Sequence, residues 1–306
     1  GDQGGNDGIG ANYPVGGSRM IAESIIPVIK DNGGELVKNC GVDKIWIDNG
    51  VAKGVVLESG EKILSKSVIS TAGVGNTISK FLRDEKSIDQ YRLNLNKVKP
   101  SSGHACLYIG FNQSAKDLGI SDTNLWVYPS YDHDLSVQKF NESQDNDFPL
   151  LYMSFASSKD PDWDQNHPDT ATMEVIVPSG FDHYEKWKEQ PWRKRGHDYE
   201  SYKENLSKRM IDSVYKHCPH LKDKISYYEL STPLSTKELA NYEFGELYGI
   251  DHDPERFKQK WLKPKTPIKN LYLSGQDILT VGLAGALGSG VLTTSVLMGK
   301  NMFKKI

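Results

Sequence analysis

Residues 270–290 read NLYLSGQDILTVGLAGALGSG, and this stretch decides the fold. Its first residues, 270–274, form a short apolar run that predicts a strand ending at Gly275. Asp277 follows, and then glycines at 282, 285, 288 and 290 open an apolar helix that we expect to reach about Lys300. A strand, a glycine-rich turn and a buried helix in succession bring backbone N–H groups close to a ligand, and the helix start suits an anion. Tight helix–sheet packing without a ligand would produce the same pattern.

An amphipathic helix is predicted near the start of the chain, over residues 18–31. Ser18 is placed to cap it. Its apolar positions follow helical spacing and predict one buried stripe, made of Ile21, Ile25, Val28 and Ile29.

Short strands are predicted next, over residues 35–40, 42–47 and 51–57. Asn49-Gly50 between the last two is a two-residue hairpin signal. Residues 67–72, SVISTA, form a compact apolar run that predicts a buried strand ending at Gly73.

From about residue 90 to 262 the sequence is richer in charged and aromatic residues, and it predicts a separate α+β unit. Strands are predicted over residues 104–111, 124–129, 150–155, 171–177 and 224–230. A short helix is predicted near residues 183–189 and a long one over residues 198–216. The long helix repeats an apolar residue every fourth position, at Tyr202, Leu206, Met210 and Val214, which predicts one buried face.

Composition and charge exclude several classes of protein. The chain has 306 residues, enough for about two domains, with 37% hydrophobic and 25% charged residues. A net charge of −3 gives no basic excess for nucleic acid, and no apolar run is long enough to span a bilayer. The three cysteines, Cys40, Cys106 and Cys218, are far apart and odd in number, which fits a reducing cytoplasm.

Other candidate sites are weaker. Asp132-His133-Asp134 and Asp251-His252-Asp253 offer metal ligands, but adjacent residues point in different directions and no third cluster completes a set, so we expect no metal. Residues 185–196, EKWKEQPWRKRG, combine basic and aromatic side chains that suit either a membrane surface or a solvent-facing helix end.

The stretch from Asn270 to Asp277, followed by Gly282-Leu283-Ala284-Gly285-Ala286, resembles the C-terminal FAD-binding signature of the phytoene desaturase, carotenoid isomerase and retinol saturase flavoproteins. The Gly-Gln-Asp form is most similar to the retinol saturase branch. Residues 13–18, YPVGGS, and Thr232-Pro233-Leu234-Ser235 with Tyr248-Gly249 agree with the same family in order and spacing. The resemblance covers nearly all of residues 13–300.

The resemblance implies a fold that combines α/β and α+β parts: a partial, amine-oxidase-like, Rossmann-type FAD domain and a substrate domain of a β-sheet with helices. Residues 13–82 and 264–306 would form the FAD domain, and residues 90–262 the substrate domain. The implied FAD contacts are Val42, Ala72, Gly73, Gly275, Asp277, Gly282, Leu283, Ala284, Gly285 and Ala286. The acid and base of the reaction are not implied.

The function implied by the resemblance is FAD-dependent saturation or desaturation of a C=C bond in an isoprenoid polyene, with NAD(P)H as the reductant. The cysteine pattern and the basic-aromatic stretch add the expectation of a cytoplasmic protein that contacts membranes peripherally. Strand aromatics could line a tunnel for the polyene or could be plain core: Phe111, Trp126, Tyr128, Tyr152 and Phe155. Two alternatives stay open, namely a redox-neutral cis–trans isomerase on the same scaffold and a lipid-binding protein without enzyme activity.

The sequence departs from the family pattern at its start. Such flavoproteins begin with a strand, a GxGxxG turn and a helix, which together hold the pyrophosphate of FAD. The nearest string, Gly4-Gly5-Asn6-Asp7-Gly8-Ile9-Gly10, follows no predicted strand, and residues 1–12 read as a loop or the edge of a cut chain. We therefore expect this chain by itself to bind FAD poorly and to be inactive.

Overall fold

The computed structural model describes residues 12–305 of the chain. These residues form two compact units, each assembled from separated stretches of sequence. The first unit takes the residues up to 37 together with 105–178 and 194–231, and the second takes residues 38–104, 179–193 and 232 onward. The glycine-rich string at residues 4–10 lies outside the described residues, as does nearly all of the predicted loop over residues 1–12.

The strands have at most eight residues each and occur between residues 42 and 273 of the described chain. In chain order they are β1 (Val42–Asp48), β2 (Val51–Leu57), β3 (Lys62–Leu64), β4 (Val68–Ser70), β5 (His104–Phe111), β6 (Leu125–Val127), β7 (Leu151–Ser154), β8 (Ala171–Pro178), β9 (Ile225–Ser231) and β10 (Leu271–Leu273).

The helices range from single turns to six turns. In chain order they are α1 (Arg19–Asp31), α2 (Val74–Asn76), α3 (Asp89–Leu95), α4 (His133–Glu142), α5 (Ala156–Lys159), α6 (Trp163–Asn166), α7 (Gly196–His217), α8 (Pro233–Ala240), α9 (Pro254–Phe257) and α10 (Gly282–Met298). A π-helical turn, Thr77–Phe81, continues α2, and 3-10 turns lie at Lys86–Ile88, Phe181–Trp187, Pro219–Leu221 and Met302–Lys305. No helix in this described part is both long and apolar enough to cross a bilayer.

A five-stranded sheet organises the first unit, in the order β6-β7-β8-β5-β9. The β6–β7, β7–β8 and β5–β9 pairs are antiparallel. All five strands were predicted to within two residues of their observed bounds. One face of this sheet packs on α7, whose predicted apolar face is confirmed because Met210 and Val214 are fully buried in the core.

The buried stripe predicted for α1 is wrong, although the helix itself is confirmed. None of its residues is buried, and Ile25, Val28 and Ile29 are 41%, 62% and 38% exposed. The Ser18 side chain makes no capping hydrogen bond, and its backbone is already helical. Spacing predicted which residues share a face, but it could not say whether anything in the described chain covers that face.

Antiparallel strands open the second unit. The hairpin between β1 and β2 turns through Asn49 and Gly50, which have positive φ angles of 49° and 74°, as a two-residue turn of this kind requires. β3 adds to β2 to complete a three-stranded sheet. The strand predicted over residues 35–40 does not form, since those residues lack regular structure.

A parallel pair of strands, β4 and β10, joins distant parts of the second unit. The strand predicted over residues 67–72 shortens to Val68–Ser70, and Ile69 in its middle is 45% exposed, so the expectation of a fully buried strand is wrong. The helix after β10 begins at Gly282 and ends at Met298, which confirms the strand–turn–helix order read from residues 270–290.

The compact units divide the chain differently from the predicted domains. Residues 13–37 group with the five-stranded sheet, and residues 83–104, 179–193 and 232–263 group with the unit that holds β4 and β10. The assignment of FAD binding to one part and substrate binding to the other stays a prediction.

Candidate functional site

All of the predicted FAD contacts lie in the second unit, and two of them closely follow β4. Ala72 and Gly73 follow the strand, and Gly73 takes a positive φ of 87° where the chain turns into α2. Two cavities of about 560 Å³ each flank the next two turns of helix. Asn76, Ser79 and Lys80 line both cavities.

Gly73 and Asp277 line the first cavity. Its walls are partly apolar, from Leu95, Val98 and Ile250, and partly polar. The exposed side chains at its rim include Lys80, whose Nζ lies 3.4 Å from a Glu243 carboxylate oxygen. Two of the predicted FAD contacts, Gly73 and Asp277, thus line one cavity, and their contact with a ligand stays a prediction.

Asp277 holds three segments of the second unit together. Its side chain is buried at 4% exposure. Oδ2 accepts a 2.8 Å hydrogen bond from the Val74 amide, and Oδ1 accepts one of the same length from the Ile250 amide. The Val74 amide lies at the start of α2, where a negative charge is favourable. The carboxylate therefore ties the helix after β4 to the loop before α9.

The neighbours of Asp277 are shaped to admit it. A Cβ at Gly249, which has a φ of +65°, would lie 2.2 Å from Asp277 Oδ1, so a side chain there would displace the carboxylate. Arg256 is 3% exposed and donates from Nη2 to the backbone oxygens of Gln276 and Asp277. Sequence analysis did not select Arg256 as a site residue. The one local indication was its position in the stretch 248–257, YGIDHDPERF, which begins with the Tyr248-Gly249 pair that carries the family resemblance.

Two further ionisable groups line the first cavity. Burial raises the pKa of the Glu246 carboxyl, and the nearby carboxylates of Asp277 and Glu243 raise it further, although backbone amides partly offset these effects. Burial also raises the pKa of Tyr242, whose hydroxyl accepts a 3.0 Å hydrogen bond from Gln276. The cavity therefore places a carboxyl whose charged form is disfavoured and a tyrosine hydroxyl beside its apolar wall.

Val42 and Ala72 line the second cavity. Polar groups surround them: Glu58 supplies a carboxylate, and Arg83 binds both carboxylate oxygens of Asp43 at 2.8 Å. Carboxylates accept hydrogen bonds from the hydroxyls of a ligand, and the lysine at position 80 is a cation at the same wall. The predicted adenine-side residue thus lies beside acceptors suited to a ribose.

The predicted glycine-run contacts, Gly282 to Ala286, line neither of these two cavities. A Cβ at Gly285 would lie 1.9 Å from the Thr280 carbonyl oxygen, so this glycine is required by the packing of the chain on itself. Gly282 has a φ of +77° and open space around its α-carbon, and Leu283 is 53% exposed. A ligand has room to approach the backbone at Gly282, whereas the packing of the chain on itself accounts for the glycine at position 285. Gly275, with φ of 102°, lies where the chain leaves β10.

The residues of the second unit fit a dinucleotide in their chemistry. Acceptors for ribose hydroxyls, cations for phosphate, and glycines that leave room for a ligand line the cavities that flank α2. Gly75 lines the first cavity, and a Cβ there would meet nothing within 4 Å, so this wall has room for a close ligand. Val42, Ala72, Gly73 and Asp277 are the predicted contacts that this geometry brings to the cavities.

The predicted tunnel aromatics all lie in the first unit but on different faces of its sheet. Phe111 and Phe155 are buried in the core that contains α7, at 2% and 4% exposure. Trp126 and Tyr152 pair across β6 and β7 on the opposite face, with ring centroids 4.5 Å apart. This face, called the open face, is exposed at Trp126 (60%) and closed around Cys106 of β5 (2%). Tyr128 is 46% exposed and packs edge-on against His133. Trp126, Tyr152 and Tyr128 are therefore the predicted aromatics that lie outside this core, and Tyr128 lines a cavity of about 360 Å³ beside α7.

The open face also carries polar residues that sequence reasoning did not select. Glu174 lies on β8 opposite Ser154, and no hydrogen bond to its carboxyl is found among residues 12–305. Burial raises its pKa, and Lys159 partly offsets this effect. Lys159 donates to Asn124 at 2.6 Å, and Asn124 donates to the Tyr152 hydroxyl at 2.8 Å. Strict alternation along β7 and β8 was the signal that could have placed Tyr152 and Glu174 on one face.

The acidic and basic groups singled out as weaker candidates have structural partners. Asp132 caps α4 by accepting from the Leu135 amide, and Lys99 lies 3.1 Å from Asp251 and 3.9 Å from Asp253. Within residues 12–305 no group of three metal-ligating side chains comes together. Trp187 in the basic-aromatic stretch is only 3% exposed, so it packs inside rather than facing a membrane.

The fold defined by these elements is that of the amine-oxidase-like, FAD-binding oxidoreductases. A solved structure of putrescine oxidase, a double mutant made to redesign cofactor binding, superposes with a TM-score of 0.57 at 12% identity over 94% of this chain and 54% of its own. The likeness of fold confirms the predicted fold class. No protein-family model matches the chain.

Sequence comparison leads to one group of proteins. The all-trans-retinol 13,14-reductase of Rattus norvegicus is 34% identical over 97% of this chain and 51% of its own length. The neurosporene-forming phytoene desaturase of Rhodobacter capsulatus is 27% identical over 94% of this chain and 54% of its own. The chloroplastic prolycopene isomerase of Arabidopsis thaliana is 27% identical over 91% of this chain and 45% of its own.

The chain is homologous to the all-trans-retinol 13,14-reductases over nearly all of its length, which confirms the resemblance read from residues 270–286. The chain spans about half the length of these curated relatives. One further relative, from Danio rerio, is named an inactive all-trans-retinol 13,14-reductase and is 32% identical over 95% of this chain and 50% of its own.

Proposed function

We propose that this chain belongs to an FAD-dependent oxidoreductase that saturates or desaturates a C=C bond of an isoprenoid polyene. The observation that carries the proposal is the 34% identity to all-trans-retinol 13,14-reductase along nearly the whole chain. The phytoene desaturase match supports the same reaction class in the opposite direction, since a desaturase removes the hydrogens that a reductase adds.

The second unit would hold FAD. Val42 and Ala72 would contact it from one cavity and Gly73 and Asp277 from the other, with Gly282 as an open approach near α10. When bound, FAD supplies the exchange of a hydride with carbon that amino-acid side chains cannot perform. NAD(P)H is the proposed source of the reducing equivalents. The Asp277 carboxylate keeps the start of α2 and the Ile250 loop in place beside this site.

The open face of the five-stranded sheet would bind the polyene. Trp126 and Tyr152 present two rings in contact, tilted by 51°, and Ile176 lies next to Tyr152 in the neighbouring strand. Apolar and aromatic walls bind a conjugated hydrocarbon chain by excluding water from both surfaces. Glu174 shares this face and is the titratable group on β8 that could exchange a proton with a ligand.

A redox-neutral cis–trans isomerase is the second candidate, and the match to prolycopene isomerase favours it. Both reactions need the same two surfaces, one for the flavin and one for the polyene. The distinction lies in the product, because saturation changes the mass of the polyene and isomerisation does not.

The experiment is anaerobic turnover with all-trans-retinol in one series and a cis-lycopene in another, each with reduced FAD and each analysed by mass and by absorbance. A gain of a pair of hydrogens from reduced FAD supports the oxidoreductase in the saturating direction, and the loss of a pair in a parallel series with oxidised FAD supports it in the desaturating direction. An unchanged mass with a shifted absorption spectrum supports the isomerase. Binding without any product, with the flavin demonstrably bound, supports a lipid-binding protein instead. Oxidised FAD serves as the control for saturation, since it cannot donate a hydride.

Peripheral contact with a membrane, in a cytoplasmic protein, completes the proposal. Its support is the uncovered apolar side of α1, where Ile25, Val28 and Ile29 are exposed beside Arg19 and Lys30 at the two ends of the helix. A helix of this pattern lies in the interface plane with its apolar side in the lipid. Sedimentation with phosphatidylcholine vesicles, with Val28→Glu as the variant expected to stay in the supernatant, tests this contact.

A further inference from the structure

A chain of hydrogen bonds ends beside the aromatic pair on the open face of the five-stranded sheet. Lys159, at the end of α5, donates from Nζ to Asn124 Oδ1 at 2.6 Å and to the Phe155 carbonyl at 3.1 Å. Asn124 Nδ2 then donates to the Tyr152 hydroxyl at 2.8 Å. The Trp126 ring, which is 60% exposed, lies against Tyr152. A hydroxyl held by two polar side chains thus lies beside the exposed Trp126 ring.

The direction of these hydrogen bonds is fixed by chemistry. A lysine ammonium only donates, so the Asn124 atom that it contacts must be the amide oxygen. The NH₂ group of Asn124 therefore faces Tyr152, and the tyrosine oxygen must act as acceptor. The O–H hydrogen of Tyr152 is left to donate, and no acceptor for it is found among the side chains and backbone of residues 12–305.

When a ligand covers this surface, the Tyr152 O–H group loses its hydrogen bond to water unless the ligand accepts a hydrogen bond from it. A half-buried hydroxyl that loses water to an apolar ligand without a new acceptor forfeits a hydrogen bond. A purely hydrocarbon polyene would impose that loss, whereas a polyene with an oxygen at the contact point would satisfy the donor. Sites that hydrogen-bond a ligand hydroxyl discriminate strongly against the analogue that lacks it.

We infer that Tyr152, oriented by Asn124 and Lys159, selects polyenes that carry a neutral oxygen, such as a terminal alcohol, over hydrocarbon polyenes. The inference rests on the proposed function, since it presumes that a polyene lies on this face. It separates the two substrate types that the proposal leaves open, because retinol carries a hydroxyl and phytoene does not.

The test measures the binding of two ligands that differ only in the hydroxyl. All-trans-retinol and its deoxy analogue are titrated into the full chain, and quenching of tryptophan fluorescence gives each dissociation constant. Tyr152→Phe keeps the ring against Trp126 and removes only the O–H. Tyr227→Phe is the matched control, because Tyr227 is an exposed tyrosine on β9 of the same sheet whose hydroxyl already donates to Glu229.

We expect wild type and Tyr227→Phe to prefer retinol over deoxyretinol by about three- to tenfold, the worth of one neutral hydrogen bond. Tyr152→Phe should bind both ligands within about twofold of each other, with its affinity for deoxyretinol unchanged or improved. Asn124→Leu, which leaves the Tyr152 hydroxyl free to rotate, should retain a reduced preference.

Equal affinity of the wild type for the two ligands overturns the inference, and so does a preference that persists in Tyr152→Phe. In either case the proposed polyene site stands, because both ligands bind. Failure of both ligands to bind the wild type instead removes the polyene site on which the inference depends. A loss of both affinities in Tyr152→Phe, with the ratio between them kept, would assign the residue to packing alone.

Discussion

Replacing Asp277 by asparagine tests the view that this carboxylate is first a structural tie. The side chain keeps its size, so the change removes only the charge and one acceptor. Both carboxylate oxygens accept 2.8 Å bonds from backbone amides, one from Val74 and one from Ile250. An amide presents one oxygen and one NH₂ group, so one of the two backbone donors would then face another donor.

The cost follows from these contacts. A hydrogen bond to a charged group contributes about 1.5–3 kcal/mol, and a buried donor left without a partner costs about 1–3 kcal/mol. These contributions overlap, because the lost bond and the orphaned amide are one event. We therefore expect Asp277→Asn to lower the free energy of unfolding of the second unit by about 1.5–3 kcal/mol.

Hydrogen–deuterium exchange at increasing urea concentration measures the loss of stability at the individual backbone amides. The protection of the Val74 and Ile250 amides should fall by the same free energy as the unfolding of the second unit. Asp251→Asn is the control, because Asp251 is 35% exposed and pairs with Lys99, and such a pair contributes at most about 1 kcal/mol. Both variants lose one negative charge, so a difference between them reports the buried contacts.

The reasoning fails if Asp277→Asn unfolds within about 0.5 kcal/mol of the wild type, or if its effect equals that of Asp251→Asn. Either result would mean that the two amides find other acceptors. The role of Asp277 would then rest on ligand contacts alone.

Three further predictions follow from other parts of the molecule. Gly285→Ala should destabilise the chain by about 2 kcal/mol or more in thermal unfolding, because its Cβ would strike a carbonyl oxygen, whereas Gly290→Ala in the same helix should stabilise by up to about 1 kcal/mol; equal effects would contradict the packing explanation. Cys106, whose burial raises its thiol pKa to about 12, should resist alkylation in the folded chain at about pH 8.5, while the partly exposed Cys40 reacts; mass mapping of labelled peptides decides this. The raised folded-state pKa of Glu174 means that its contribution to stability is present below the unfolded pKa of about 4.3 and is lost as the pH rises through the folded pKa. Glu174→Gln should therefore gain on the wild type as the pH rises above about 4, and a difference in unfolding free energy that does not change with pH would refute this.

Local patterns in the sequence predicted much of the architecture. The strand runs of the five-stranded sheet and the fourfold apolar repeat of α7 are confirmed, because both come from residues close together in sequence. The hairpin predicted at Asn49-Gly50 is confirmed for the same reason, since this turn depends on the two residues that adopt positive φ. The expected strand at residues 35–40 failed because a short apolar run forms a strand only where another strand pairs with it.

The contacts of the site could not be predicted, because they join residues far apart in sequence. Val74 lies 203 positions before Asp277, and no sequence pattern near either residue indicates that the two are in contact. For Phe111 and Phe155, whose burial favours the plain-core alternative that the sequence left open, a sequence pattern was available. In β5, Leu107 and Ile109 alternate with Tyr108 and share the parity of Phe111, so the alternation itself assigned that ring to the core face.

The pairing of β4 with β10 has a consequence for the order in which the molecule folds. Val68 meets Leu271, so this parallel contact closes a loop of about 200 residues, and the entropy of closure must be met before the pair is stable. The five-stranded sheet needs only residues within 104–231. Contacts of long sequence separation form slowly, and we therefore expect the sheet to acquire protection in refolding kinetics well before β10 docks on β4. Until β10 docks, β4 presents unpaired backbone N–H and C=O groups. A partly folded molecule is therefore expected to aggregate through this strand edge.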